Sequence, residues 1–188
     1  MRINVVDNGG QWTHREYRVL RDLGIECDII PNDSPSSKAD NLDGLVLSGG
    51  APSIQDELNK LGNIGEIIDD HTYPILGICV GAQFIALHYG GKVGPARNPE
   101  FGKAEVVIAE TARILKGLPE KITAWENHND EVKDLPKEFE TLASSSTCRI
   151  EAFEHIKKPI FGIQFHPEVE NTQYGKEIFQ NFIELCTK

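Results

Sequence analysis

The sequence predicts an α/β fold, with an open, mostly parallel sheet flanked by helices and an additional antiparallel sheet portion in the second half. Three observations predict it. In the first half, short runs of Val, Ile and Leu alternate with stretches whose apolar residues recur at helical spacing. Strands that are apolar throughout are buried on both faces, as in a parallel sheet covered by helices. In the second half, strand-like runs follow one another across turns, and a helical pattern closes the chain.

The elements follow in order. Ile3 to Val6 reads as a strand ending in the turn Asp7-Asn8-Gly9-Gly10. Residues 11–23 place Trp12, Tyr17, Leu20 and Leu23 among charges, the pattern of an amphipathic helix, and Gly24 closes it. Ile25 to Ile30 is a second strand, and 31–40 a loop. Leu45 to Leu47 is a third strand, followed by Ser48-Gly49-Gly50. Residues 55–70 form a helix with Leu58, Leu61, Ile64, Ile67 and Ile68 inward. Pro74 to Ile78 is a fourth strand, and 80–89 a short helix ending at Gly90-Gly91. Beyond it, 104–109, 123–125, 139–143, 150–153 and 160–165 are strand-like, and 174–185 is a helix with Ile178, Phe179, Phe182 and Ile183 inward. A length of 188 residues without repeat, low-complexity tract or linker predicts one domain over residues 1–188.

Composition excludes several function classes. Hydrophobic residues at 39% and charged residues at 26% describe a soluble globular chain. A formal net charge of −10 with no Lys/Arg run disfavours nucleic acid and anionic membrane as partners. No apolar stretch approaches the roughly 20 residues of a membrane span, and the start does not read as a signal peptide. The four cysteines, at 27, 79, 148 and 186, have no C-x-x-C spacing. They suggest neither a zinc knuckle nor a disulfide framework, and a reducing cytoplasm is the simplest compartment.

The chemistry concentrates in GICVGAQ, residues 77–83. Ligands of open α/β sheets bind at the carboxyl ends of strands, and Cys79 lies at such an end, between strand and helix. A sharp strand–turn–helix corner presents a nucleophile, glycines at 77 and 81 relieve crowding there, and the helix N-terminus favours thiolate. The alternative is a buried cysteine acting as a small hydrophobe. That reading suits Cys27 and Cys186 and leaves Cys148 open.

A thiolate needs a base, and the base an orienting group. The run Phe161-Gly162-Ile163-Gln164-Phe165-His166-Pro167-Glu168 supplies both. Pro167 biases His166 toward extended backbone, where residues two apart point the same way, so Glu168 can lie beside the imidazole. His166 could instead be structural or half of a metal site, but no ligand cluster of suitable spacing joins it, and no metal is predicted. Donors for an oxyanion can come from the amides of Ser48-Gly49-Gly50, which is otherwise a tight turn. That loop lacks the aspartate of the S-G-G-x-D-S loop of ATP pyrophosphatases, and no Walker loop occurs, so ATP hydrolysis is not expected of this chain.

SGG, GICVGAQ and QFHPE, in this order and spread over the whole chain, resemble the class I glutamine amidotransferases. The resemblance implies their flavodoxin-like sheet. Three further stretches, EFGKAEV at 100–106, WENHNDEV at 125–132 and AFEH at 152–155, are similar to the glutaminase part of the GMP synthetase family. Asn127 stands where that family usually has serine. The likeness implies Cys79 as nucleophile, His166 as proton carrier and Glu168 as its orienter. It further implies Gly50 and Val80 amides for the oxyanion, and Gln83 with Gly49 as glutamine contacts. Asn127 and His128 are candidates for that pocket or for a partner interface.

In that family an ATP pyrophosphatase domain often follows, whereas this sequence ends at Lys188. The likeness therefore implies a separate subunit with no cofactor of its own. Its partner would be an XMP-binding synthetase subunit that uses ATP and Mg. Three rivals stand beside this reading. One is the glutaminase subunit of another synthase, such as anthranilate or aminodeoxychorismate synthase. The others are a stand-alone γ-glutamyl hydrolase and a non-catalytic module that keeps the fold.

Overall fold

The computed structural model describes residues 1–111 and 113–187. Its elements are β1 (Ile3–Asp7), α1 (Thr13–Asp22), β2 (Ile29–Pro31), β3 (Gly44–Leu47), α2 (Ile64–Asp70), β4 (Ile75–Ile78) and α3 (Val80–His88). Then come β5 (Lys92–Ile108), β6 (Lys121–Asp134), β7 (Phe139–Ser145), β8 (Ala152–His155), β9 (Ile160–Ile163) and α4 (Gly175–Leu185). All nine strands join one sheet in the order β2-β1-β3-β4-β9-β8-β7-β5-β6. From β2 to β9 the pairs are parallel, and from β9 onward they are antiparallel. The predicted architecture is therefore the observed one.

Alternation along the parallel strands divides the core between the two faces. Val5, Val46, Leu76 and Phe161 pack with Leu20 of α1 and with Phe179 and Phe182 of α4. Val6, Leu45, Leu47 and Ile75 pack with Ile64 and Ile67 of α2 and Ile85 of α3. Each buried aromatic or aliphatic side chain adds roughly 1.5–3 kcal/mol, so both helical layers are held by the same strands.

Several element boundaries differ from the sequence expectation. The helix expected over 55–70 is a 3-10 turn at Leu58–Leu61 followed by α2, because Gly62 sits at φ 58 between them. The second strand is confined to β2; upstream only Arg2 bridges to Glu26. The runs at 104–109 and 123–125 belong to a long β5–β6 ribbon whose polar, Gly- and Pro-containing ends read as loop. Strand β8 lies two residues later than expected, and β9 ends at Ile163 rather than 165. Among the described residues no helix is long and apolar enough to cross a membrane.

Candidate active site

Cys79 occupies the corner between β4 and α3 with φ 50 and ψ −110. A non-glycine residue at positive φ is held there only when its surroundings over-determine it, at a cost of about 1–3 kcal/mol. The surroundings do so: the Cys79 amide donates to Ile163 O at 2.8 Å, and its carbonyl accepts from Gln83 N at 2.9 Å. The neighbouring glycines are required by space. A Cβ on Gly81 would lie 2.2 Å from Leu47 O, and one on Gly77 2.6 Å from the Gly81 carbonyl carbon. Gly81→Ala should therefore push α3 off β3, lower the melting temperature by an amount equivalent to about 1–3 kcal/mol, and misplace the thiol. A variant as stable and as active as the parent would contradict this.

His166 and Glu168 meet as expected, with His166 Nδ1 2.7 Å from Glu168 Oε1. They do so within a turn after β9 rather than on a strand, since Val169 N donates back to His166 O at 3.3 Å. The backbone of His166 is clamped on both sides. Its N–H donates to Trp125 O at 2.9 Å, and its carbonyl accepts from Thr172 Oγ1 at 2.7 Å. Burial disfavours the imidazolium, but Glu168 and the Cys79 sulfur outweigh it and raise the His166 pKa well above the ordinary value. With Nδ1 committed to Glu168, Nε2 is left without a hydrogen-bond partner among the described residues. Nε2 is then the atom available to exchange protons.

Gly49 lies between base and nucleophile. A Cβ there would come 2.9 Å from His166 Cε1 and 3.6 Å from Cys79 Cβ, while one on Gly50 would strike Asn8 O at 2.4 Å. Neither residue has positive φ. These are glycines for close approach, not for unusual φ. Ser48 Oγ accepts from Asn8 N at 3.0 Å and donates to Gly49 O at 2.8 Å. In a planar trans peptide the next N–H points away from that carbonyl. The amides of Gly50 and Val80 donate to no acceptor among the described residues.

Two cavities adjoin the sulfur and share Gly50, Ala51, Cys79 and Asn127 in their linings. One, about 180 Å³, reaches Gln83, Phe101 and Asp130. The other, about 390 Å³, is lined by Trp12, Glu16 and His166. Gln83 spends its Nε2 on Asp130 O at 2.6 Å and on Gln164 Oε1 at 3.1 Å. Gln164 Nε2 in turn donates to Cys79 Sγ at 3.7 Å. Asn127 reaches the thiol through its backbone, with Sγ 3.9 Å from its carbonyl oxygen.

His128 lines the smaller cavity together with Asn127, as the sequence suggested, but its ring nitrogens are engaged elsewhere. Adjacent strand residues face opposite ways, and its Nε2 lies 3.3 Å from both Glu100 and Glu126 while Nδ1 contacts Asp130 O at 3.1 Å. The ring is directed into a buried acidic cluster. Sequence reasoning also missed Trp12, whose ring meets His166 edge-on at 4.4 Å. Gln164 and Glu16 were missed as well. Spacing offered a signal in each case: Trp12, which caps the start of α1, and Glu16 in its first turn are four apart, and Gln164 is two before His166.

The cluster has a consequence for stability. Despite burial, Glu100 and Glu126 raise His128 to about 10. Burial, with neighbouring carboxylates, raises Glu126 and Glu151 above the usual carboxylate range. Glu100 is the exception: against burial, His128 and Thr147 hold it below that range. Groups raised on folding take up protons, so their contribution is lost as pH rises from the unfolded values through the folded ones, for His128 through about 10. Glu100 acts oppositely at its acid end. The melting temperature should therefore fall from about pH 6 to about pH 9, and Glu151→Gln should flatten the fall. A flat profile in the parent would refute this. Glu100, Cys148 and Glu151 place ligand atoms within 4.8 Å of one another, but Cys148 donates to Ile150 O at 3.5 Å and Ser145 Oγ bonds Glu100 at 3.4 Å.

A sulfur on a strained corner, an imidazole braced by a carboxylate and two free amides nearby are equipped for acyl transfer through a thioester. The chain belongs to the class I glutamine amidotransferases, matching the family described as "Glutamine amidotransferase class-I" over residues 4–185. It is 65% identical over 186 residues to a Thermoplasma volcanium protein named as a subunit of glutamine-hydrolyzing GMP synthase, covering 99% of this chain and 92% of that one. It is 50% identical to the protein of the same name from Picrophilus torridus, with both chains fully covered. The crystal structure of a Thermoplasma acidophilum protein, described as the same GMP synthase subunit, superposes with a TM-score of 0.96 at 61% identity, covering 100% of this chain and 94% of that one.

Proposed function

We propose that this chain is the glutamine-hydrolysing subunit of a GMP synthase, releasing ammonia for a separate synthetase subunit. The chemistry rests on one observation: His166 is braced at Nδ1 by Glu168 and open at Nε2, beside Cys79. The choice of GMP synthase rests on near full-length identity to proteins named as this subunit of it.

In the reaction, Cys79 Sγ attacks the side-chain amide carbon of glutamine after its proton passes to His166. The carbonyl oxygen becomes an oxyanion facing the Gly50 and Val80 amides. Collapse breaks the C–N bond, His166 returns its proton to the leaving nitrogen, and ammonia departs from a γ-glutamyl thioester. Water then attacks the thioester as His166 takes its proton, the C–S bond breaks, and glutamate leaves with the thiol restored. Gln83 and Gly49 shape the glutamine pocket, Asn127 bridges the two cavities, and His128 positions β6 from behind.

The chain needs no cofactor of its own in this scheme; ATP and Mg serve the partner, which adenylylates XMP in the cytoplasm. Because ammonia released without an acceptor is lost, the isolated chain should hydrolyse glutamine slowly, and docking of the synthetase subunit with its nucleotides should accelerate it. Equal turnover alone and in complex would refute that coupling. The test of the assignment is co-purification with an XMP-binding ATP pyrophosphatase subunit, followed by assay of glutamine-dependent GMP formation. Amination by an anthranilate synthase partner instead would overturn it.

A further inference from the structure

Glu16 is a carboxylic acid that the reaction route just given does not use. It lies in the first turn of α1 and is 0% exposed. Its Oε1 accepts the Gly49 amide at 3.3 Å, and its Oε2 has no partner among the described residues. It lines the cavity that also contains Cys79, His166 and Gly49. No other side chain bonds the Gly49 amide among the described residues.

We propose that Glu16 is a positioning residue for glutamine hydrolysis, holding the Gly49 amide so that the following peptide presents its N–H to the oxyanion. This rests on the reading of Gly50 as an oxyanion donor. The two ends of the turn have separate anchors. Ser48 Oγ takes the Gly49 carbonyl, and Glu16 takes the Gly49 amide. The Ser48–Gly49 peptide is also held at its carbonyl, which accepts from Asn8 Nδ2 at 2.8 Å; without Glu16 it keeps one anchor of two, and the Gly50 amide is held less firmly in its place.

The protonation state follows from the surroundings. Burial first, then the charge of Glu168, raise the Glu16 pKa well above the carboxylate range, against the Gly49 amide and His166, with the Cys79 sulfur adding to the rise. The charged and titratable groups facing it are Cys79 from the corner before α3, His166 and Glu168 from the turn after β9, and Cys27 from the segment before β2. A neutral Glu16 accepts from Gly49 without adding a second negative charge beside a developing oxyanion. An ionised one would oppose that charge.

The experiment measures glutaminase kcat and KM across pH for the chain docked on its synthetase subunit. Glu16→Leu, which removes the acceptor, should lower kcat by about 10- to 100-fold with KM changed less than about three-fold, part of the loss seen when an oxyanion donor is deleted. Glu16→Gln keeps the acceptor and the neutral state. It should stay within about three-fold of the parent near neutral pH, with KM unchanged. A Glu16→Leu enzyme matching the parent, or a Glu16→Gln enzyme as slow as Glu16→Leu, overturns the proposal. If Glu16→Leu does not fold, Glu16→Met, of similar length and without the carboxyl, decides: a kcat matching the parent overturns it. A parent complex without turnover would instead indict the glutaminase reading itself.

Discussion

Cys79→Ala should abolish glutamine-dependent GMP formation while leaving synthesis from added ammonium salt near the parent rate. The thiol supplies the only bond by which the amide nitrogen is released in the proposed route, so its loss removes the step rather than slowing it. The synthetase half consumes ammonia and does not touch Cys79. Assaying both nitrogen sources on one preparation separates the two. Equal loss of both would assign the thiol a structural role and sink the mechanism. Labelling offers a second readout. Burial first, with Asp28 and Asp43 respectively, pushes Cys27 and Cys186 up to about 12, and Cys148 higher still. A glutamine-mimicking electrophile should therefore modify Cys79 alone.

Glu168→Gln carries the next largest effect. The 2.7 Å contact to Nδ1 selects the ring's orientation and stabilises its charged form. An amide there can satisfy the hydrogen bond but offers no charge, and it can present its NH₂ to Nδ1, which turns the tautomer so that Nε2 carries the proton. By analogy with replacing the carboxylate of other triads, kcat should fall by roughly 10³–10⁴-fold. Glu168 also favours the imidazolium. Losing it lowers the His166 pKa, so the acid limb of the residual activity should shift toward lower pH, because a more acidic ring is already neutral there. A variant retaining more than about a tenth of the parent rate would exclude Glu168 from the catalytic set.

The parallel half of the fold was legible because Ile3–Val6, Leu45–Leu47 and Pro74–Ile78 are apolar on both faces and are punctuated by glycine. The β5–β6 ribbon was not legible along its whole length. Only parts of it, such as Val106, Ile108, Ile122, Ala124 and Val132, reach the core; elsewhere its residues pair with one another at the surface, so they carry Lys, Glu, Pro and Gly where a strand signal looks for Val and Ile. The triad could be named because each member sits in a short stretch of unusual composition. Glu16 could not, because in sequence a glutamate on a helix reads as solvated. Only the packing of α1 against the Gly49 turn shows it buried. Asn127 and His128 share the lining of one cavity, but that the His128 ring is held by Glu100 and Glu126 could not be read from the sequence, because Glu100 is brought to it only by the β5–β6 pairing.

β4 and β9 are neighbours in the sheet, with Ile78 opposite Ile163. Cys79 follows the first strand by one step and His166 follows the second by three. Nucleophile and base thus ride on adjacent rungs of one rigid ladder, and the alignment of sulfur and imidazole inherits the stiffness of backbone pairing. The antiparallel excursion between the two strands can be refitted to a different associate at its outer reaches, provided the stretch of β6 from Trp125 to Asp130 keeps its grip on His166, Cys79 and Gln83.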